Sequence, residues 1–262
     1  MSVNHNEKEE SSSSSSVATL SPWVLHFVRK YEMKPHVEGG FYSEIFRHPL
    51  TTSVVLKEKV EKEPPLVSSS GGTIQNASED RHLSTSIFYL LAANDFSCFH
   101  KIKAFEQWHY YCGNSSLIIH VLDGRSDEKK YGKFILNNDC SNQPQTNLET
   151  SVRHLNMEGN LLTPAYGHCK NDVKEIMNSK YDTFVDISCI VPPDCWFAAE
   201  VLNKEEDRFV MSGCTCSFGF DFKDFETGKR EQLLREFCGN DVATDDENKR
   251  ELTALITRLT RE

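Results

Sequence analysis

The feature that most limits the possible folds is a series of short segments rich in β-branched and aromatic residues. Each segment has the length of a strand and is bounded by turn residues. The segments are FYSEIFR (41–47), TSIFYLL (85–91), DFSCFHKI (95–102), EQWHYYCG (106–113), SSLIIHVLDG (115–124), KKYGKFIL (129–136), TFVDISCIVP (183–192), CWFAAEVL (195–202) and RFVMSGCTCSFGFDF (208–222). Short strands at this spacing favour an antiparallel sandwich or barrel.

Helical signals lie at the two ends of this β-rich region. Ser21 followed by Pro22 is typical of a helix cap and a first helical position, and it predicts a helix over WVLHFVRKY (23–31). From Phe225 onward, Leu and Phe recur at helical spacings, which predicts two C-terminal helices in 225–239 and 245–259. We therefore expect an all-β core with an N-terminal helix and C-terminal helices.

Three polar stretches precede or interrupt this pattern. Residues 1–19 contain an unbroken serine run and too few apolar residues to offset the entropy of ordering, so we expect a disordered tail. Residues 57–82 are charged and then rich in Pro, Ser and Gly, which predicts a mobile loop. Residues 138–182 lack periodicity and are interpreted as an insertion between two strands. A single domain over residues 20–262 then accounts for the rest of the chain.

The charge of the chain argues against two classes of partner. The chain has 29 Lys and Arg against 39 Asp and Glu, a net charge of −10, and Lys or Arg never occur in runs longer than two. Phosphate backbones and anionic membranes repel such a surface, so we expect no nucleic acid and no membrane as partners. No apolar run approaches the ~20 residues needed to span a bilayer.

The cysteines and the N-terminus indicate a compartment. The chain has nine cysteines and no CxxC pair, which argues against a zinc ribbon or a thioredoxin-like motif. The first ten residues are acidic and polar, unlike a secretory signal. Both observations favour buried thiols in a reducing compartment, and hence a cytoplasmic protein.

One motif brings residues of chemical interest together: His100-Lys-Ile102-x3-Glu106-x6-Gly113. Strand alternation places His100 and Ile102 on one face, and places Glu106, Trp108 and Tyr110 on one face of the next strand. In a barrel that is open at one end, both of these faces can point inward. The pattern therefore predicts that a histidine and a glutamate share the interior.

This motif resembles the first motif of the cupin superfamily, G-x5-HxH-x3–4-E-x6-G, with Ile102 in place of the second His. A candidate for the second motif, PxG-x2-H-x3-N, lies at 191–199, where Phe197 stands in place of its His. Further blocks make the chain similar to cupin family 5, a group of RmlC-like jelly-roll proteins long labelled a domain of unknown function. The blocks are HVEGGFYSEIFR (36–47), SIFYLL (86–91), FSCFHKIKAFEQWH (96–109) and GCTCSFGFDFKDF (213–225).

The resemblance covers about residues 20–262 and implies a double-stranded β-helix, often dimeric, so a homodimer is expected. It implies no settled reaction, because proteins of this fold include epimerases, metal dioxygenases, sugar isomerases and storage proteins. The usual cupin metal set is three His and one Glu, and Ile102 and Phe197 occupy two of these four positions without being able to bind a metal. We therefore expect no metal cofactor. A divalent metal held with help from His109 or His120 is the disfavoured alternative.

The same motif suits proton transfer. A His with a near-neutral pKa and a buried Glu can act as acid and base, which makes His100 and Glu106 candidate catalytic residues. Epimerases of this fold use a His base with a Tyr acid, so the resemblance adds Tyr110 as a candidate, with Tyr89 and Tyr42 as alternatives. The competing interpretation is that His100 and Glu106 form a buried structural pair.

Aromatic residues near this pair predict a mostly apolar pocket with a few polar groups, as is usual for small-ligand sites. The aromatic candidates for ligand binding are Trp108, Phe99 and Phe197. On the first strand, Glu38 adds a polar group, as do Glu44 and Arg47, and the Arg47 guanidinium suits a carboxylate or a phosphate. An exposed salt bridge is the alternative interpretation of these two residues.

Three functional hypotheses follow. The first is a metal-independent cupin that binds a small polar metabolite, such as a sugar or a nucleotide-sugar; if it is an enzyme, it is an epimerase or isomerase that works by proton transfer through His100. The second is a non-catalytic binding or interaction protein of the same fold. The third is a divalent-metal oxygenase with a degenerate site.

Overall fold

The computed structural model describes residues 20–55, 78–127, 129–137, 182–239 and 246–261. The predicted tail at 1–19 lies outside the described residues, as do most of the predicted loop at 57–82 and most of the predicted insertion at 138–182. Seven cysteines lie within the described residues; all are free thiols, and all but Cys112 are buried.

The strands of the described residues form two six-stranded sheets and one hairpin. In chain order they are β1 (Lys34–Pro35), β2 (Phe41–Arg47), β3 (Thr51–Val55), β4 (Ser78–His82), β5 (Thr85–Ala92), β6 (Phe96–Lys101), β7 (Phe105–Gly113), β8 (Leu117–Asp123), β9 (Lys130–Leu136), β10 (Asp182–Asp186), β11 (Ser188–Val191), β12 (Trp196–Val201), β13 (Phe209–Ser217) and β14 (Glu226–Thr227). The first sheet has the order β1-β2-β5-β13-β7-β11, the second has the order β10-β9-β8-β12-β6-β14, and β3 and β4 form the hairpin.

The connectivity is that of a double-stranded β-helix. From β5 to β8, and again from β11 to β14, successive strands alternate between the two sheets. Strand pairs are antiparallel, apart from the parallel pair of β10 with β9. The predicted all-β jelly-roll core is confirmed.

Inward-facing side chains fill the space between the sheets at every second strand position. Trp108 and Tyr89 from the first sheet pack with Phe197 and Ile119 from the second, and all four are fully buried. Burying a large apolar side chain contributes roughly 1.5–3 kcal/mol to stability. This part of the core also supports the site described below, because Phe197 packs against His100.

The predicted N-terminal helix is helix α1 (Pro22–Lys30), which covers part of the first sheet. Its N-terminus is capped by Ser21, whose hydroxyl oxygen accepts a hydrogen bond from the backbone N–H of Val24 at 3.4 Å. Val24 is buried against Leu90 and Phe209 of the sheet. The cap and the buried face together explain why the helix begins where the sequence predicts.

The predicted C-terminal helices are α2 (Arg230–Cys238) and α3 (Glu247–Arg258), which cover the outer face of the second sheet. Leu233 of α2 and Ile256 of α3 are buried there with Trp196 and Phe99. No helix in the described ranges is long and apolar enough to cross a membrane.

Three boundaries differ from the expectation. Residues 78–82, predicted as the end of a mobile loop, form β4 and pair with β3. Their polar sequence SEDRH has no alternation of apolar and polar residues and therefore gives no sign of a strand. Residues 183–192, predicted as one strand, form two strands that belong to different sheets. Helix α2 begins at Arg230 rather than near Phe225, because residues 226–227 pair with β6 instead.

Candidate functional site

A cavity of about 150 Å³ lies between the two sheets and the segment that follows β13. Its walls come from β2, β5, β6, β7 and β13, from the turn before β2 and from residues 220–225. The lining residues are His36, Glu38, Tyr42, Glu44, Arg47, Thr85, Ile87, His100, Ile102, Glu106, Cys214, Cys216, Phe220, Phe222 and Phe225. The cavity is therefore mixed in character, with aromatic side chains, carboxylates and two imidazoles in one space.

A buried pair formed by His100 and Glu38 is the best-defined feature of the cavity. Nε2 of His100 lies 2.9 Å from Oε2 of Glu38, and the two side chains are only 3% and 7% exposed. Nδ1 of His100 lies 2.7 Å from the Cys98 carbonyl oxygen. A carbonyl oxygen can only accept, so Nδ1 carries a hydrogen and donates it. The imidazole is thus held at both nitrogens.

Electrostatics indicate that this pair is an imidazolium facing a carboxylate. Burial would lower the pKa of His100, but the charge of Glu38 and the hydrogen bond to it outweigh burial, and the pKa is raised. Burial would raise the pKa of Glu38, but the charge and hydrogen bond of His100 lower it overall. The pair is therefore charged at neutral pH and its two charges cancel.

His36 flanks the same carboxylate from the other side. Its Nδ1 lies 3.5 Å from Oε2 of Glu38, and its ring meets the ring of Tyr42 edge-on at 4.7 Å between centroids. Burial is the largest influence on its pKa, which is lowered. His36 is therefore a neutral neighbour of the pair rather than a second cation.

Glu106 projects into the cavity from β7, on the sheet opposite His100. Its side chain is buried, and burial is the main reason why its pKa is raised to about 7; the charge of Glu38 also raises it, and His100 lowers it. The Cys214 thiol, which faces Glu106, has a pKa raised mainly by burial and stays protonated. Glu106 is thus a group in the cavity that changes charge near neutral pH.

An ion pair between Glu44 and Arg47 lies at the more exposed side of the cavity. Nε of Arg47 donates to Oε1 of Glu44 at 2.9 Å, and Nη2 donates to Oε2 at 2.6 Å. Nη1 of Arg47 reaches the Phe220 carbonyl oxygen at 3.3 Å. The hydrogen bond to Glu44 raises the pKa of Arg47. The guanidinium fork predicted to meet an anion is therefore directed at Glu44.

The segment after β13 supplies an aromatic wall, defined here as Phe220, Phe222 and Phe225. The rings contact one another, with centroids 4.9 Å apart for Phe220 and Phe222 and 6.4 Å apart for Phe222 and Phe225. A buried ion pair anchors this segment to the β3–β4 hairpin, because Arg81 donates to both carboxylate oxygens of Asp224 at 2.9 and 3.1 Å. The hairpin therefore helps to position one wall of the cavity.

Four of the eight predicted site residues line this cavity. The fold brings His100 and Glu106 into one space, with Glu44 and Arg47 at its edge. Tyr42, one of the alternative candidates for the acid, lines the same space.

The other four predicted site residues lie outside the cavity lining. Tyr110 donates from its hydroxyl to the Ser115 carbonyl oxygen at 2.9 Å, at the far end of β7. Trp108 is fully buried in the core, and Phe99 faces helices α2 and α3. Phe197 lies behind His100, with a distance of 4.0 Å between ring centroids. Tyr89, another alternative, donates to the Gly39 carbonyl oxygen at 2.6 Å and is fully buried.

The partner of His100 was not among the predicted site residues. The sequence predicts Glu38 only as a polar group of the first strand, yet it supplies the carboxylate that binds His100 in the cavity lining. It sits in a tight turn, where Gly39 has a φ of +116° and a side chain there would meet the Phe96 carbonyl oxygen at 2.1 Å. In the sequence, the two glycines that follow Glu38 in the block from His36 to Gly40 are the feature that indicates this turn, since only Gly fits such a conformation.

The residues of the cavity do not fit the usual cupin metal site. Ile102 and Phe197, at two of the four ligand positions, have no donor atom, and Glu38 is already bonded to His100. Among the described residues, no three His, Cys, Asp or Glu are arranged to hold a metal ion. His120 bonds instead to Glu200 and Tyr131 at 3.1 and 2.8 Å, and the His109 ring stacks on Tyr111.

Comparisons with known proteins agree with this architecture. The family model described as Cupin superfamily (DUF985) matches residues 26–228. The chain is similar to a solved protein from Shewanella oneidensis, with 22% identity and a TM-score of 0.51, over 90% of this chain and 96% of the other. It is also similar to a hypothetical protein from Leishmania major, with 19% identity and a TM-score of 0.54, over 91% and 98%. The comparison with curated proteins gives no match.

Proposed function

The chain belongs to the cupin family described as Cupin superfamily (DUF985), and on that premise we propose that its cavity binds a small polar metabolite and moves a proton on it, as an isomerase or epimerase does. The observation that carries the proposal is the meeting of two proton-handling groups at one cavity. One is the His100–Glu38 pair, and the other is Glu106 with its pKa near 7.

The two groups differ in their protonation at neutral pH, which is what acid–base catalysis requires. His100 is held as an imidazolium by Glu38, and the Nε2 proton that it shares with Oε2 of Glu38 is the one it can donate to a ligand that reaches this nitrogen. Glu106 is about half ionised near pH 7, so its carboxylate form can accept a proton from a carbon acid. Because β6 and β7 belong to different sheets, the two groups approach a ligand from different sides.

A hydroxy-aldehyde illustrates the proposed proton balance. The Glu106 carboxylate takes the proton from the carbon beside the carbonyl, while the imidazolium of His100 gives its proton to the carbonyl oxygen, which forms an enediol. Glu106 then protonates the neighbouring carbon, and His100 takes a proton from the other hydroxyl. Both residues return to their starting states, so this sequence needs no co-reactant.

Two further residues have supporting roles in the proposal. Glu38 acts as a positioning residue, because it fixes the ring of His100 and keeps it protonated. His100 is the acid in this proton balance, and Tyr42 rather than Tyr110 is the tyrosine that can hydrogen-bond the ligand, since its side chain lines the cavity and the hydroxyl of Tyr110 is directed at Ser115. The proposal requires no metal, because the donor set of the cavity does not fit one.

Hydrogen exchange in D₂O tests the proposal. The full chain is incubated with open-chain aldoses and ketoses, and NMR follows loss of the signal from the hydrogen beside the carbonyl. Wild type should catalyse this exchange, and Glu106→Gln and His100→Gln should each lower the rate by roughly 10²-fold or more. Glu205→Gln is the matched control, because its carboxylate is 66% exposed and remote from the cavity lining.

The outcomes separate the first two hypotheses. Exchange that depends on both residues supports the acid–base role. A ligand that binds without any exchange in wild type contradicts that role and leaves a binding protein of cupin fold.

A further inference from the structure

We infer that the ligand of this cavity is an uncharged monosaccharide, which binds as its polyhydroxylated ring, and not a phosphorylated or nucleotide-linked sugar. In the proposed reaction, this sugar reacts in its open-chain form. The inference deepens the proposed function and rests on it, because it concerns the same cavity. Three observations carry it. They are the ion pairs formed by the cations of the cavity lining, the ion pair formed by Arg81 in the neighbouring cleft, and the separation of aromatic from polar groups in the cavity.

The first observation is that each cation described in the cavity lining already has an anionic partner. Arg47 is bound by Glu44 through two hydrogen bonds, and His100 is bound by Glu38. A phosphate would have to displace one of these carboxylates, and it would also meet Glu106. Burying an anion without a partner is costly, so this lining disfavours an anionic ligand.

The second observation is that the neighbouring cleft repeats this pattern. A cleft of about 300 Å³ lies on the other side of Arg47, Phe220 and Phe222, where the phosphates of a longer ligand would extend. Its second arginine, Arg81, is bound by both oxygens of Asp224. The cleft also contains Asp80 and Asp221, so a phosphate there would face two carboxylates, of which Asp221 lies 3.7 Å from Nζ of Lys223.

The third observation is that the cavity has an apolar side and polar groups that can bind hydroxyls. The rings of the aromatic wall meet edge to face, and Phe222 is 55% exposed at its rim. Glu106 and the Thr85 hydroxyl provide polar atoms in the same space. A sugar ring has apolar C–H faces and a polar rim of hydroxyls, which matches this division. At about 30 Å³ for each water molecule, this volume corresponds to about five waters, which one ring can replace.

The net charge of the lining also favours a neutral ligand over a cation. Glu38 and Glu44 are neutralised by His100 and Arg47. This leaves Glu106, whose pKa near 7 allows it to be protonated and to donate a hydrogen bond. A quaternary ammonium ion would find aromatic rings here but no fully charged, unpaired carboxylate among the described lining residues.

Binding to a matched panel tests the inference. Isothermal titration at constant ionic strength compares the full chain with glucose, mannose, galactose and rhamnose, with glucose 6-phosphate and mannose 6-phosphate, with UDP-glucose, and with choline. At least one neutral ring should bind, and its phosphate ester should bind about tenfold more weakly or worse, a loss of about 1.4 kcal/mol. Tighter binding of an ester, of UDP-glucose or of choline, or no binding of any neutral ring, overturns the inference.

Two variants make the test specific to this cavity. Phe222→Ala should weaken the neutral ring by about tenfold, because the ring loses the rim of the aromatic wall. Phe46→Ala is the matched control, since Phe46 is 47% exposed and lies outside the cavity lining. Glu44→Gln should improve binding of the phosphate ester, because it releases the guanidinium of Arg47. If Glu44→Gln leaves the ester unchanged, the charge argument is wrong.

The failure of this inference can be told from the failure of the proposed function. If an ester binds and its hydrogen exchanges in D₂O only when Glu106 is present, the acid–base function holds and the inference falls. If a neutral ring binds and shows no exchange, the inference holds and the acid–base function falls.

Discussion

Phe197 lies directly opposite His100 in the β6–β12 pair, with 4.0 Å between the centroids of their rings. In the cupin pattern, the position of Phe197 holds a metal-binding His. Here an apolar ring covers one face of His100, and the side chain of Glu38 meets its edge. The same scaffold position therefore serves to desolvate an imidazole, which strengthens its interaction with the carboxylate.

We predict that Glu38→Gln lowers the pKa of His100. Burial favours the neutral imidazole, and the charge of Glu38 is the main influence that opposes it. NMR titration of the His100 ring hydrogens measures the pKa directly. The variant should also lose roughly 3–5 kcal/mol of unfolding free energy below pH 6, because the unfolded state then protonates His100 while the folded variant must keep it neutral or bury its charge without a partner. Glu44→Gln, in an exposed pair, should lose less than about 1 kcal/mol. An unchanged His100 pKa would contradict the charged pair.

We predict that Glu106→Gln becomes more stable relative to wild type as the pH rises. The folded carboxyl has a pKa of about 7 against an ordinary value of 4.5, so the folded state binds more protons between these values. The contribution of Glu106 to the unfolding free energy of the wild type is therefore greatest at low pH and falls as the pH rises from 4.5 to about 7. Between pH 4 and pH 8, the variant should gain on the order of 3 kcal/mol relative to wild type, as measured by urea unfolding. Parallel pH profiles would show that Glu106 has an ordinary pKa.

We predict that two tyrosine variants behave differently. Tyr110→Phe should cost about 1 kcal/mol of stability through the lost hydrogen bond to Ser115 and should keep the exchange rate in D₂O. Tyr42→Phe should keep the stability and lower the exchange rate by about tenfold, because its hydroxyl lines the cavity. Loss of exchange in Tyr110→Phe alone would restore the sequence-based assignment.

We predict that Arg81→Ala strongly destabilises the protein, although Arg81 lies outside the core between the two sheets. The variant leaves the Asp224 carboxylate, whose side chain is 11% exposed, without its main partner, which costs roughly 3–5 kcal/mol. The double variant with Arg81→Met and Asp224→Leu should recover most of this loss, because no charge remains buried. Urea unfolding of Arg81→Met, of Asp224→Leu and of the double variant measures the coupling free energy between the two positions. Additive losses would contradict the ion pair.

The sequence predicted the fold well because its strand signals are strong where the strands are buried. The segments 85–91 and 106–113 coincide with β5 and β7 almost residue for residue. The signal failed at β4, where a polar edge hairpin has no apolar alternation. It also failed at residues 183–192, where two strands of different sheets follow each other without a turn residue between them.

The site was harder to predict because strand alternation tells which face of the sheet a side chain lies on, but not how far along the strand it lies from the cavity. Tyr110 points inward as expected, yet it lies too far along β7 from Glu106 to reach the cavity. Glu38 shows the opposite case, because it comes from a turn far from His100 in the chain and no periodicity relates them. Charge pairing and depth become visible only once both sheets are in place.

The chain from Cys214 to Phe225 provides both thiols and the whole aromatic wall of the cavity. His100, Glu38 and Glu106 come from elsewhere in the sequence. One short stretch of chain therefore forms this side of the cavity, so substitutions within it can reshape the aromatic surface and leave His100, Glu38 and Glu106 in place.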